Sequence, residues 1–169
     1  MKMLKNSTIM YLLEFQKDID ERIREEFEIK PDDIDILRKK MIAFFVEIGE
    51  FINEERSFKY GSRKKENDRQ KVLEEYVDGL HFVLSLGLDI KYDFENHKPF
   101  VEKGDLYDTY LNLIHNLGTF VRTISHGEFR KVFSNFLAIA DVLKLRESQI
   151  EKAYLSKNKK NHKRQDDKY

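Results

Sequence analysis

Apolar residues recur along the chain every three or four positions, the period of a helix with one buried face. Over residues 7–29 that spacing is kept by Leu12, Phe15, Ile19, Ile23 and Phe27, with Ser7 as the expected N-cap and Pro31 just past the end. A second predicted helix opens at Asp32, whose carboxylate suits a helix N-terminus. It runs through Leu37, Met41, Phe44, Phe45, Ile48 and Ile52 to about Phe58. Residues 54–69 carry many charges and Gly61, and read as a solvated loop. A third helix is predicted over 68–88, carrying Val72, Leu73, Tyr76, Val77, Leu80 and Leu84. Residues 89–103 lose the period, contain Pro99 and read as a connection. A fourth helix is expected over 106–124, stopped by His126-Gly127. A fifth follows over 128–143. A sixth opens on the capping-box pattern Ser148-Gln149-Ile150-Glu151 and fades near Lys160 into a polar tail over 161–169. No strand pair or internal repeat stands out. The pattern predicts an all-α fold, an antiparallel bundle of about six helices in one domain spanning 1–169.

Composition narrows the chemistry. Among 169 residues there are two Pro and seven Gly, as long helices require, and no Cys or Trp. Without Cys there is no disulfide framework, thiolate zinc site or Cys nucleophile. The longest purely apolar run, Met41 to Val46, is six residues, against roughly 20 for a membrane span. The N-terminus has no apolar stretch of the signal-peptide kind. The expected setting is cytoplasmic, with no membrane. Lys+Arg and Asp+Glu both number 31, which argues against a whole-surface nucleic-acid binder. The balance is nevertheless segregated: from Glu151 to Tyr169 there are seven basic and three acidic residues.

The candidate chemistry interrupts the two most apolar helices. Glu47 and Glu50 are three apart and so share one helix face. Glu75 and Asp78 repeat the spacing in the third helix, and His81 extends that face. With 31 acids in the chain such pairs arise several times by chance, and a solvated face is their ordinary reading. Their apolar surroundings favour the other reading, because charged residues are rarely buried without partners. If the two helices pack antiparallel, four carboxylates converge. At ~5 Å and an effective dielectric near 20, each like pair repels by roughly 3 kcal/mol. Such a cluster takes up protons or hard cations, and oxygen donors with a single nearby imidazole suit Mg²⁺ better than zinc. The residues alone leave a metal site and solvated faces both open.

Longer motifs carry a resemblance. The chain holds Val46-Glu47-Ile48-Gly49-Glu50-Phe51-Ile52-Asn53-Glu54, then Phe58-Lys59-Tyr60, then Glu75-Tyr76-Val77-Asp78-Gly79-Leu80-His81-Phe82. It closes on a run from Ala153 and Tyr154 through Lys157, Asn161 and Arg164 to Tyr169, and opens with Leu13-Glu14-Phe15-Gln16 through Asp20. Together these resemble the dimeric dUTPases, within the all-α, MazG-like nucleoside triphosphate pyrophosphohydrolases. The resemblance implies hydrolysis of dUTP, and also dUDP, to dUMP by a Mg²⁺-dependent homodimer, with Mn²⁺ as a possible substitute ion. It implies that Glu47, Glu50, Glu75 and Asp78 are the catalytic metal ligands, Glu47 also orienting the attacking water. It places Lys157 and Arg164 on phosphates, with Lys59 also in the substrate site. Gln16, His81 and Asn161 fall near uracil, Phe82 against the deoxyribose, and Tyr169 near the sugar or phosphates, the tail closing over the substrate. The chain departs from the family in having Gly61-Ser62 after Tyr60, where Trp is common, and Asp167-Lys168 before the last Tyr, where Gly is common. Two alternatives accompany this expectation: a pyrophosphohydrolase of another deoxynucleotide such as dCTP, and an all-α interaction module. Phage-encoded relatives bind a repressor, so the resemblance also admits a regulatory protein partner.

Overall fold

The structure, a computed structural model, describes residues 4–64, 67–100 and 102–167. It is all-α, with six helices and no strand among the described residues: α1 (Asn6–Glu26), α2 (Ile34–Glu55), α3 (Arg69–Asp89), α4 (Leu106–Thr123), α5 (His126–Val142) and α6 (Glu147–Asp166). No described helix is long and apolar enough to cross a membrane.

The helix ends show which local signals were decisive. Asp33, one residue beyond the expected cap, accepts the N–H groups of Asp35 and Ile36. Asp68 and Asp105 cap α3 and α4 in the same way. Ser7 does not cap α1; that position falls to Lys5, which makes no side-chain cap bond. Gly127 is no stop signal. α4 ends on Ile124 in the left-handed conformation (φ 48°), and Ser125 caps α5 by accepting the N–H of Glu128, so Gly127 lies in the first turn of α5. α6 begins earlier than Ser148, with the Gln149 side-chain oxygen accepting the Arg146 N–H at 3.4 Å. It also continues past Lys160: residues 161–166, expected as tail, are helical. Arg22 holds this end to α1 by donating to the His162 carbonyl at 3.2 Å and to Asp166 at 2.6 Å. Tertiary contacts thus extend a helix where the hydrophobic period has run out.

α3 is the most deeply buried helix and packs against α1, α2, α5 and α6. Contact pairs give the directions. Phe51 meets Tyr76 near one end of α2, and Lys40 meets Asp89 near the other, so α2 and α3 are antiparallel. Gln16–His81 and Asp20–Ser85 keep one constant offset, so α1 runs parallel to α3. The bundle is therefore antiparallel between most sequential neighbours. The exception is α3 to α4, where the 90–105 connection crosses back. Two glycines let α3 approach its neighbours closely. A Cβ on Gly87 would lie 2.2 Å from the Phe94 ring, and one on Gly79 would lie 2.9 Å from Phe136. Tyr76 stacks on Phe136 with centroids 4.7 Å apart, joining the α2–α3 and α4–α5 hairpins into one core.

Candidate active site

Antiparallel packing turns the two acidic spacings into one cluster. Carboxylate oxygens of Glu47 on α2 and of Glu75 and Asp78 on α3 lie within 4.8 Å of one another. Glu50 stands at the exposed rim, outside that triad, but near enough for its charge to act on Glu47 and Glu75. Burial pushes the Glu47 carboxyl up to about 7, and the charges of Asp78, Glu50 and Glu75 push the same way, against Lys157. Glu75 is raised for similar reasons, burial first and then Asp78 and Glu50. Asp78 takes an ion pair from Lys157 at 2.6 Å through Oδ2, while its buried Oδ1 has no hydrogen-bond partner among the described residues. Crowded carboxylates with an orphaned oxygen, opposed by Lys157, fit a hard divalent ion.

Beside the cluster opens a cavity of about 420 Å³. Glu47 and Asp78 form one end. Gln16, His81, Phe82, Lys157, Asn161 and Arg164, each expected in the substrate site, line its walls. They come from α1, α3 and α6, and only the parallel course of those helices brings them together. Ile19, Ile23, Ile29 and Ile36 supply an apolar side. Lys59 is not brought to the cavity; it lies over the Phe58 ring at 5.6 Å. Tyr60, the residue just before the place where Trp is common in the family, is fully exposed at 101% and does not line the cavity. Tyr169 lies outside the described residues. The helix to Asp166 carries Asn161 and Arg164 on fixed turns, so they need no closing tail to reach the site.

Sequence reasoning missed a second polar group at the other end of the cavity. Asp20 accepts from Ser85 Oγ at 2.6 Å and from Gln16 Nε2 at 2.8 Å, and Lys40 lies 3.7 Å away. Lys40 also pairs with Asp89 at 2.7 Å, and Arg24 donates to the same carboxylate. Asp20 sits one turn after Gln16, inside the opening motif, and that spacing was the one available signal. Lys40 and Ser85 gave none. Glu55 was also unmarked: it is buried, accepts from Tyr110 and the Ser57 N–H, and ties α4 to α2 away from the cavity.

A carboxylate cluster, flanking cations and a cavity large enough for a nucleoside, all carried on an all-α bundle, suit an enzyme that hydrolyses nucleotides. The family profile described as dUTPase matches residues 8–169, and the chain belongs to that family, whose enzymes hydrolyse dUTP. No curated protein matches the sequence.

Proposed function

We propose that the protein hydrolyses dUTP to dUMP and pyrophosphate, and dUDP to dUMP and phosphate, with Mg²⁺ as its ion and Mn²⁺ as a substitute. One observation supports this beyond family membership. A single cavity joins the acids that fit a cation to the polar and apolar walls that fit a nucleoside. Glu47, Glu75 and Asp78 hold the ion, with Glu50 completing the set from the rim. The bound cation supplies charge neutralisation at the phosphates and a more acidic water. Glu47 faces the phosphate end and accepts a proton from the attacking water as the bond between the α- and β-phosphates breaks. Lys157 turns from Asp78 to a phosphate once that carboxylate is otherwise engaged, and Arg164 adds a second positive charge. Asn161 and His81 meet the base, held in place by Gln16, while Phe82 packs on the deoxyribose and disfavours a 2′-hydroxyl.

The protein acts on the cytoplasmic nucleotide pool as a homodimer. Ile42, Phe45 and Val46 on α2, and Leu111, Ile114 and Val121 on α4, are exposed apolar side chains. Gly49 and Gly118 lie on the same helices with open space where a Cβ would stand, which lets a second copy approach closely. Sedimentation should give twice the chain mass, and Phe45→Glu should shift it towards the monomer. Turnover of dUTP, dUDP, dCTP, dTTP and UTP with Mg²⁺ or Mn²⁺ tests the activity. Selective hydrolysis of dUTP and dUDP is expected, and preference for dCTP would overturn the substrate.

A further inference from the structure

Gln16 is buried and both ends of its amide are committed. Its Nε2 donates to Asp20 Oδ1 at 2.8 Å. Its Oε1 accepts from the Tyr154 hydroxyl at 2.5 Å and stands 2.8 Å from His81 Nδ1. Turned the other way, the amide would set its oxygen against the Asp20 carboxylate, two acceptors with no proton between them. Asp20 is itself held, by Ser85 Oγ at 2.6 Å and by Lys40 at 3.7 Å.

The consequence falls on His81. A carbonyl oxygen has no proton to give, so the proton in the Gln16–His81 contact belongs to Nδ1. The imidazole is buried and lies flat against the Tyr154 ring, centroids 3.8 Å apart. Burial drives its pKa down to about 3, with Lys157 acting in the same direction and the Tyr154 backbone opposing, so the ring is neutral. Nε2 therefore carries a lone pair. That atom is buried, has no partner among the described residues, and belongs to a side chain that lines the cavity.

We infer that Asp20 is a positioning residue for base selection. Through Gln16 it locks His81 in the Nδ1–H tautomer, which makes Nε2 a fixed acceptor for the imide N–H of uracil. This rests on the placement of the base in this cavity proposed above. At the matching edge cytosine presents a ring-nitrogen lone pair, so two acceptors would face each other with no proton between them, and the base nitrogen would give up its hydrogen bond to water for nothing. A site built around one such bond rejects the base that cannot make it.

Nitrogen-15 NMR of the imidazole reads the tautomer directly. In the unsubstituted protein at neutral pH, His81 should carry its proton on Nδ1 and none on Nε2. Asp20→Asn removes an obligate acceptor, frees the Gln16 amide to turn, and should bring in the Nε2–H form. The ratio of kcat/KM for dUTP over dCTP should then fall by about tenfold or more, with helical circular dichroism retained. If Asp20→Asn does not fold, Ser85→Ala loosens the same carboxylate and should move tautomer and ratio the same way by a smaller factor. A proton found on Nε2 in the unsubstituted protein overturns the inference. So does an unchanged dUTP-to-dCTP ratio in folded Asp20→Asn. Failure of the underlying reading looks different: His81 would carry the Nδ1 proton, yet the unsubstituted protein would not hydrolyse dUTP.

Discussion

Two groups of carboxylates lie at opposite ends of one cavity, and both involve α2 and α3. At one end Asp20 and Asp89 share Lys40, Asp89 also takes Arg24, and Asp20 receives two hydrogen bonds. Burial raises the Asp20 carboxyl on balance, and Asp89 adds slightly to that, but Lys40, Ser85 and Gln16 all oppose it. At the other end Glu47, Glu75 and Asp78 converge with Glu50 nearby, and Lys157 is the cation that opposes them. There the neighbouring acids add to the effect of burial. The same residue types thus serve two purposes, separated by who supplies the compensating charge. The chain neutralises its structural acids itself. It leaves the clustered acids in deficit, and that deficit favours a cation from outside.

The largest expected effect breaks the functional end. Glu47→Gln should lower kcat/KM for dUTP by roughly two to four orders of magnitude. Its metal-free melting temperature should hold or rise at pH 8, because a crowded charge is gone. Retained turnover would remove Glu47 from the chemistry. Lys40→Met should do the reverse to stability. It leaves Asp20 and Asp89 short of a cation in a largely buried setting, at a cost of about 3 kcal/mol in denaturant unfolding. An unchanged midpoint would show that the two ends do not differ as argued.

Magnesium sharpens the contrast by pH. Glu47 binds its proton more tightly folded than unfolded, so the metal-free protein loses stability as pH rises through the range from the usual Glu value to about 7. A cation competes with that proton. The rise in melting temperature on adding Mg²⁺ should therefore be larger at pH 8 than at pH 5.5, and chelation should abolish it. Equal rises at both pH values would count against Glu47 as a ligand. A last contrast, confined to acid pH, belongs to His81, between the two ends on α3. Its pKa is depressed to about 3 in the folded protein, so its contribution is fully present above 6.5 and is lost as pH falls towards 3. Against His81→Gln, the unsubstituted protein should lose stability in that window with an extra slope of at most about 1.4 kcal/mol per pH unit.

The acids at 47, 50, 75 and 78 were legible because a short repeated spacing interrupts an apolar helix, and such spacing survives into structure unchanged. So did the helix count, since each helix buries a stripe that repeats with its own period. Lys59 stands apart from the cavity of its own chain because proximity to a motif is not proximity in space: it follows the left-handed Arg56 in the turn that leaves α2, and its ammonium rests on Phe58. The end of α6 misled because its residues carry no apolar period, while Arg22, far away in sequence, holds the turn. Phe45 reads as a core residue by type and spacing, yet it is 58% exposed. Periodicity alone does not distinguish a buried apolar residue from an exposed one.

From sequence alone came the all-α class, the acidic pairs and the motifs of a dUTPase, each of which rests on residue types at short, local separations. The tertiary structure decided what depends on distant residues meeting. It decided which three acids converge and which one stands at the rim. It placed Asp20 against Ser85 and Gln16 against His81 and Tyr154. The proton position inferred for His81 follows from a partner 65 residues away on another helix, and no local pattern encodes that.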